Sequence, residues 1–260
     1  MNAILKSLIW FLYPAQCRHC GENLDPADGY YICKLCWDQV EYIKRPYCEK
    51  CGFPLNPLSA LSEMIFSCAN CPDESKFGKV RSIAYYHNSA IGEAIRLLKD
   101  NGKTIMVDKL AEIMVKGINE LLDLKDYDCI IPVPIHKKKV RKRGYNQMEL
   151  IGRKVSSKTG IPLETKSFVK IKDTPPQRGL TGKERIQNIK GSFSVINTSN
   201  IEGKRILLID DVMTTGSTVN ECARVLLGEG KADNVDVITL ARVAFSGLPD
   251  DIRDVMSQQI

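Results

Sequence analysis

Two acids followed by a hydroxyl-rich turn form the most chemically loaded stretch of this chain. Residues 206–218 read ILLIDDVMTTGST, an apolar strand that delivers Asp210 and Asp211 and then a loop that opens a helix. Backbone N–H groups at a helix N-terminus bind phosphate, and the helix dipole favours the anion. Gly216 permits close backbone approach, and the hydroxyls of Thr214, Thr215, Ser217 and Thr218 add donors. The two carboxylates upstream suit the cis hydroxyls of a ribose. An isolated Asp-Asp pair is more often a cap for the next helix; the attached Thr-Thr-Gly-Ser-Thr turns the reading towards phosphate.

The second chemical feature is sulfur. Eight of the ten cysteines fall into four C-x-x-C pairs: Cys17/Cys20, Cys33/Cys36, Cys48/Cys51 and Cys68/Cys71. Two sulfurs two residues apart reach one tetrahedral ion from a single tight turn, and two such pairs complete a Cys₄ zinc site. Gly21 and Gly52, just after the first and third pairs, fit such turns. The simplest assignment is sequential, with Cys17, Cys20, Cys33 and Cys36 on one structural zinc ion and Cys48, Cys51, Cys68 and Cys71 on another. Spacing alone also admits an interleaved arrangement. Cys129 and Cys222 read as buried thiols, and His19, His87 and His136 as bystanders to any metal or triad.

The third feature is charge. Lys137, Lys138, Lys139, Arg141, Lys142 and Arg143 place six cations in seven positions directly after a short apolar strand. A polyanion such as single-stranded nucleic acid suits so dense a run. A merely solvated face is the bland alternative.

The elements that must position these groups follow from periodicity. Residues 82–86, 129–133, 167–171, 192–195, 205–209 and 235–241 read as strands, and 90–99, 105–122, 147–157 and 218–227 as helices, with Ser89 and Asn146 as N-caps. Such alternation predicts an α/β fold, a mostly parallel sheet flanked by helices, whose ligands bind beyond the carboxyl ends of the strands. Residues 14–76 lack clear periodicity, which predicts a small metal-held unit with little apolar core. The expected division is 1–76 for a short amphipathic helix (Ile4, Leu5, Leu8 and either Phe11 or Leu12) and the cysteine-rich head, 77–245 for the α/β domain, and 246–260 for a polar tail.

These pieces together resemble the competence protein F (ComF) family, a double zinc ribbon fused to a type I phosphoribosyltransferase domain. The resemblance rests on the four cysteine pairs, on residues 206–218, on PVPIHKKKVRKRGYNQ (132–147) and on TPPQRGLTGKERIQNIKGSF (174–193). It implies that Asp210 and Asp211 hold the ribose of 5-phosphoribosyl-1-pyrophosphate (PRPP), with Thr214, Thr215, Gly216, Ser217 and Thr218 around its 5′-phosphate. It places pyrophosphate, with Mg²⁺, near Arg143, Gly144 and Tyr145. Arg185, in a stretch matching the family pattern with Gln177, Leu180 and Asn188, joins the catalytic set. The implied role is DNA uptake in natural transformation, with single-stranded DNA on the 137–143 run and a helicase partner. A nucleobase salvage phosphoribosyltransferase, and a non-catalytic nucleic-acid-binding module retaining a PRPP site, are the alternatives.

The 260 residues carry a net charge of +6 and a pI near 8.7, which suits anionic ligands. No apolar run reaches the roughly 20 residues needed to span a bilayer. The thiol pairs without a recognisable export signal predict a reduced, cytoplasmic setting.

Overall fold

Alternation along one strand decides the layers. The computed structural model describes residues 15–25, 31–55, 71, 75–175 and 182–243. The expected N-terminal helix and the 246–260 tail lie outside the described residues. Strand β5 (Arg205–Met213) sends Leu207 and Ile209 into one apolar cluster and Ile206 and Leu208 into another. Both faces are buried, as a parallel sheet requires. Strands β1 (Val80–Tyr85), β2 (Cys129–Pro132) and β6 (Asn234–Arg242) complete the sheet in the order β1-β6-β5-β2, every pair parallel. The mostly parallel sheet expected from the sequence is what the chain forms.

Strand β5 runs further than its apolar residues suggest. Asp210, Val212 and Met213 pair with Thr239, Ala241 and Arg242 of β6, so the ladder holds the polar end extended. The two aspartates therefore sit inside a strand, and the loop proper begins at Thr214.

On one face lie helices α2 (Ala90–Asp100), α3 (Met106–Leu121) and α5 (Gln147–Thr159). Ser89 caps α2 by accepting the Gly92 N–H at 3.1 Å, and Ile91, Ile95 and Leu98 fall on its buried side. Burying each of these is worth about 1.5–3 kcal/mol relative to exposure. Asn146 caps α5 through the Met148 N–H at 3.0 Å and donates to the Val133 carbonyl at 3.1 Å. That side chain ties the helix start to the end of β2.

The other face carries α7 (Ser217–Gly228) and a two-stranded antiparallel hairpin, β3 (Phe168–Lys170) with β4 (Phe193–Val195). The Phe168 and Phe193 rings stack at 5.5 Å. Helix α6 (Gly182–Ile189) lies between the hairpin strands in sequence and packs on α7. The two short strands read from the sequence thus stand apart from the parallel sheet.

The head departs most from expectation. It holds helix α1 (Lys34–Asp38), and Cys17, Leu24, Ile32, Cys33, Cys36 and Val40 are buried in the same cluster as α2 and α3. Lys109 lies over the Trp37 ring at 5.8 Å, and Lys116 over Tyr42 at 5.6 Å. Residues 41–50 cover the outer edge of β1. Ile43 N–H donates to Ile83 O at 2.9 Å, Tyr85 N–H to Glu41 O at 3.1 Å, and Val80 N–H to Lys50 O at 2.8 Å. Gly52, at φ +68°, fits where a Cβ would lie 2.5 Å from the Val80 carbonyl oxygen. The head does have a core, shared with the α/β domain; its apolar residues sit on turns and leave no period to read.

Candidate active site and metal centres

The cysteine pairs assemble sequentially. The sulfurs of Cys17, Cys20, Cys33 and Cys36 lie within 4.8 Å of one another, and so do those of Cys48, Cys51 and Cys71. Cys68 lies outside the described residues. Burial works to raise the Cys17 thiol, but backbone N–H groups of Cys20, Cys33 and His19 outweigh it and bring it down to about 6. Burial and the charges of Cys51 and Cys48 push Cys71 up to about 12. Sulfurs this close cannot ionise together without a cation between them. An all-sulfur set of this compactness fits zinc, which would hold the turns in place and leave no open position for catalysis.

Residues 214–216 lead from the end of β5 into the N-terminus of helix α7. Gly216 adopts φ +81°, and a Cβ there would come within 2.8 Å of Met213 Cε. Gly216 is the N-cap of α7 and brings no capping side chain of its own, and no acid lies in the first turn. A helix start of this kind offers N–H donors and a dipole that favour an anion. Thr215 Oγ1 donates to Ser217 Oγ at 3.2 Å and accepts the Ser217 N–H at 3.4 Å, holding the turn. Thr214, Ser217 and Thr218 are half-buried beside it, and Thr215 is exposed.

Asp210 and Asp211 behave differently. Asp211 is buried, and both its oxygens are occupied: Lys99 Nζ lies 2.8 Å from Oδ1 and Gln147 Nε2 2.8 Å from Oδ2. Gln147 Oε1 in turn accepts from Arg143. Burial opposes the Lys99 ammonium, but Asp211 outweighs it and holds Lys99 above its usual pKa. Asp210 is pushed up to about 7, by lost hydration and then by the Asp211 charge, against the pull of Lys99 and Lys170.

The cationic run forms a helix. Helix α4 (Lys137–Arg143) is capped by His136, whose Nδ1 accepts the Lys138 N–H at 3.3 Å, and ends at Gly144 with φ +89°. These caps offset the repulsion of neighbouring like charges. At 3.6 residues per turn, Lys137, Lys138, Arg141 and Lys142 share an arc of about 140°. They are the exposed members, whereas Lys139 and Arg143 are half-buried. Lys138 pairs with Asp173 at 3.6 Å, and Lys139 reaches the Thr174 carbonyl at 3.4 Å. Lys137, Arg141 and Lys142 form no ion pair among the described residues. Tyr145 spends its hydroxyl on the Leu98 carbonyl at 2.6 Å.

Arg185 lies in α6 at 4% exposure, and burial lowers its pKa. Gln177 and Leu180 of the same stretch lie outside the described residues, and Asn188 donates to the Pro175 carbonyl at 3.2 Å. Sequence reasoning missed Lys99, Gln147 and Lys170. Lys170, half-buried on the hairpin with its ammonium 5.4 Å from the Phe193 ring centre, is lowered by burial and then by Lys139. A lysine in the last turn of a helix is ordinary, so only the charge demand of two adjacent acids pointed to Lys99.

Residues 8–72 match the double zinc ribbon domain and residues 150–260 the phosphoribosyl transferase domain. The chain is 32% identical over 232 residues to competence protein F of Haemophilus influenzae, covering 87% of this chain and 96% of that protein. DNA utilization protein YhgH of Escherichia coli K12 is 25% identical over 84% of this chain and 93% of its own length. Competence protein ComFC of Bacillus subtilis is 24% identical over 81% of this chain and 84% of its own.

Proposed function

Because the chain belongs to the competence protein F family, we propose that it binds Mg²⁺-PRPP and transfers its phosphoribosyl group, in the service of DNA uptake. The observation that carries this reading is an α7 N-terminus opened by Gly216, with no acid in its first turn, next to Asp210 at the ligand edge of the sheet. The 5′-phosphate meets the N–H groups and hydroxyls of residues 214–218. Asp210 accepts a ribose hydroxyl and faces the positive charge that develops at C1 as the bond to pyrophosphate breaks. Arg143, Gly144 and Tyr145 lie where the leaving group departs, with Lys139 on the same side of α4, and Arg185 completes the set. Mg²⁺, carried by PRPP, neutralises that leaving group. No helix among the described residues is long and apolar enough to cross a membrane, and the proposed setting is the cytoplasm.

Single-stranded DNA is assigned to the outward cations of α4, delivered by a helicase partner. The names of the relatives, competence and DNA utilization proteins, support the biological role. A PRPP-dependent pyrophosphate-release screen over nucleobases, nucleotides and single-stranded DNA tests the whole reading. Release with DNA is the expected result. Release with a free purine or pyrimidine alone would mark a salvage enzyme, and DNA binding with no release from any acceptor a non-catalytic module.

A further inference from the structure

Consecutive residues of a strand point to opposite faces, so Asp210 and Asp211 do not share one environment. Asp211 continues the Leu207–Ile209 row and meets α2 and α5 through Lys99 and Gln147. Asp210 continues the Ile206–Leu208 row towards α7 and the hairpin, where its charge acts on Cys222 and Lys170. The Asp211 side chain is 8% exposed and that of Lys99 29%. Asp211 thus has strong donors on both oxygens and little access to solvent. Asp210 accepts the Asp211 N–H at 2.9 Å on Oδ1, and among the described residues its other oxygen carries no hydrogen bond.

We propose that Lys99 is a positioning residue for PRPP: it neutralises Asp211 in a buried ion pair so that Asp210 is the carboxylate that meets the ribose. The inference rests on the PRPP-binding function proposed above and divides a pair of acids that sequence reasoning treated as equivalent. Two adjacent carboxylates oppose each other's ionisation, and a cation on one relieves the other. The charged groups facing Asp210 are Asp211, Lys99 from α2 and Lys170 from β3, with the Cys222 thiol of α7 behind them. Take Lys99 away, and Asp211 is left uncompensated beside Asp210, with only Lys170 in opposition. Gln147 extends the arrangement, since it bonds Asp211 on one side and Arg143 on the other.

Calorimetric titration of Mg²⁺-PRPP at pH 7 tests this on the full chain. Asp210→Asn should lose most of the affinity. Lys99→Met should lose about 5-fold or more, because removing an opposite charge within 4–6 Å raises the neighbouring carboxyl by at least about one pKa unit, which at pH 7 takes Asp210 from about half ionised to about one-tenth. Lys99→Arg should restore most of it. The double variant Lys99→Met with Asp211→Asn should bind more tightly than Lys99→Met alone, because the second change removes the stranded charge. A residue that merely stabilised the fold would give the opposite, a double variant no better than the single one. That outcome, or wild-type affinity in Lys99→Met, overturns the inference. Should Lys99→Met fold poorly, Lys99→Arg and the double variant decide the matter by themselves, since failure of both to bind overturns the inference too. If the unsubstituted protein binds no PRPP, the proposed function itself fails, and that result is distinct because it precedes any substitution.

Discussion

Changing Lys137, Arg141 and Lys142 to glutamine should remove most of the salt dependence of single-stranded DNA binding. These three cations face outward on α4 without ion-pair partners among the described residues, whereas Lys138 is already engaged by Asp173. Three phosphate contacts on a single strand predict a slope of log K against log salt of about −2.1. Raising salt fourfold should then weaken binding about 18-fold through this face alone. The triple variant should lose about two units of slope and weaken all sequences alike, since phosphate contacts carry no base identity. Fluorescence anisotropy with a labelled oligonucleotide at 50–200 mM salt reads both quantities. Lys139 and Arg143, on the other side of the helix, are the cations assigned to the pyrophosphate. Saturating Mg²⁺-PRPP should therefore change DNA affinity by less than about twofold, and by linkage DNA should change PRPP affinity no more. An unchanged slope in the triple variant would refute the outward-face assignment. Loss of PRPP affinity in that variant would refute the two-sided division of the helix.

Purified protein should carry about two zinc ions per chain by mass spectrometry. Because head and α/β domain share one apolar cluster, chelation should lower a single cooperative melting transition; a head that melts separately would contradict the shared core. Gly216→Ala forces a Cβ into the left-handed region at about 1–2 kcal/mol. It also crowds Met213, so thermal melting should fall by a few degrees and calorimetric PRPP affinity should drop. PRPP affinity should rise about tenfold from pH 6 to pH 8 as Asp210, near 7, ionises. Folding runs the other way. A carboxyl whose folded pKa lies above its unfolded value stabilises fully below the unfolded value, and that contribution is lost as pH rises through about 7. Asp210→Asn should flatten both profiles.

The sequence made the parallel sheet legible because β5 is apolar on both faces, and it made the turn into α7 legible because Gly216 and the hydroxyls around it mark a helix start. Caps at Ser89 and Asn146 were readable for the same local reason. What escaped was set by tertiary contacts. Lys99 and Gln147 are ordinary helix residues until the sheet brings them to Asp211. The cationic run carried no apolar period from which a helix could be read, and the cap at His136, the stop at Gly144 and the ion pair to Asp173 are visible only in the structure. The head looked coreless because its buried residues, such as Leu24, Ile32 and Val40, are spaced by turns, and its partners lie on α2 and α3.

Strand β6 comes last of the described strands in the chain, yet it lies between β1 and β5. Its register joins Val80 to Val237 on one side and Ile206 to Val235 on the other. A growing chain therefore emerges from the ribosome with β1 and β5 already made and nothing to join them. Each presents an unpaired edge, the state most prone to pairing with another chain. Such sequence-distant closure is slow, and here it waits on the arrival of β6. Termination before residue 234 leaves β1 unjoined to the β2–β5 pair and takes away the β6 part of the platform under α7. Messenger damage or ribosome stalling should thus yield fragments that aggregate or are degraded, rather than half-active protein.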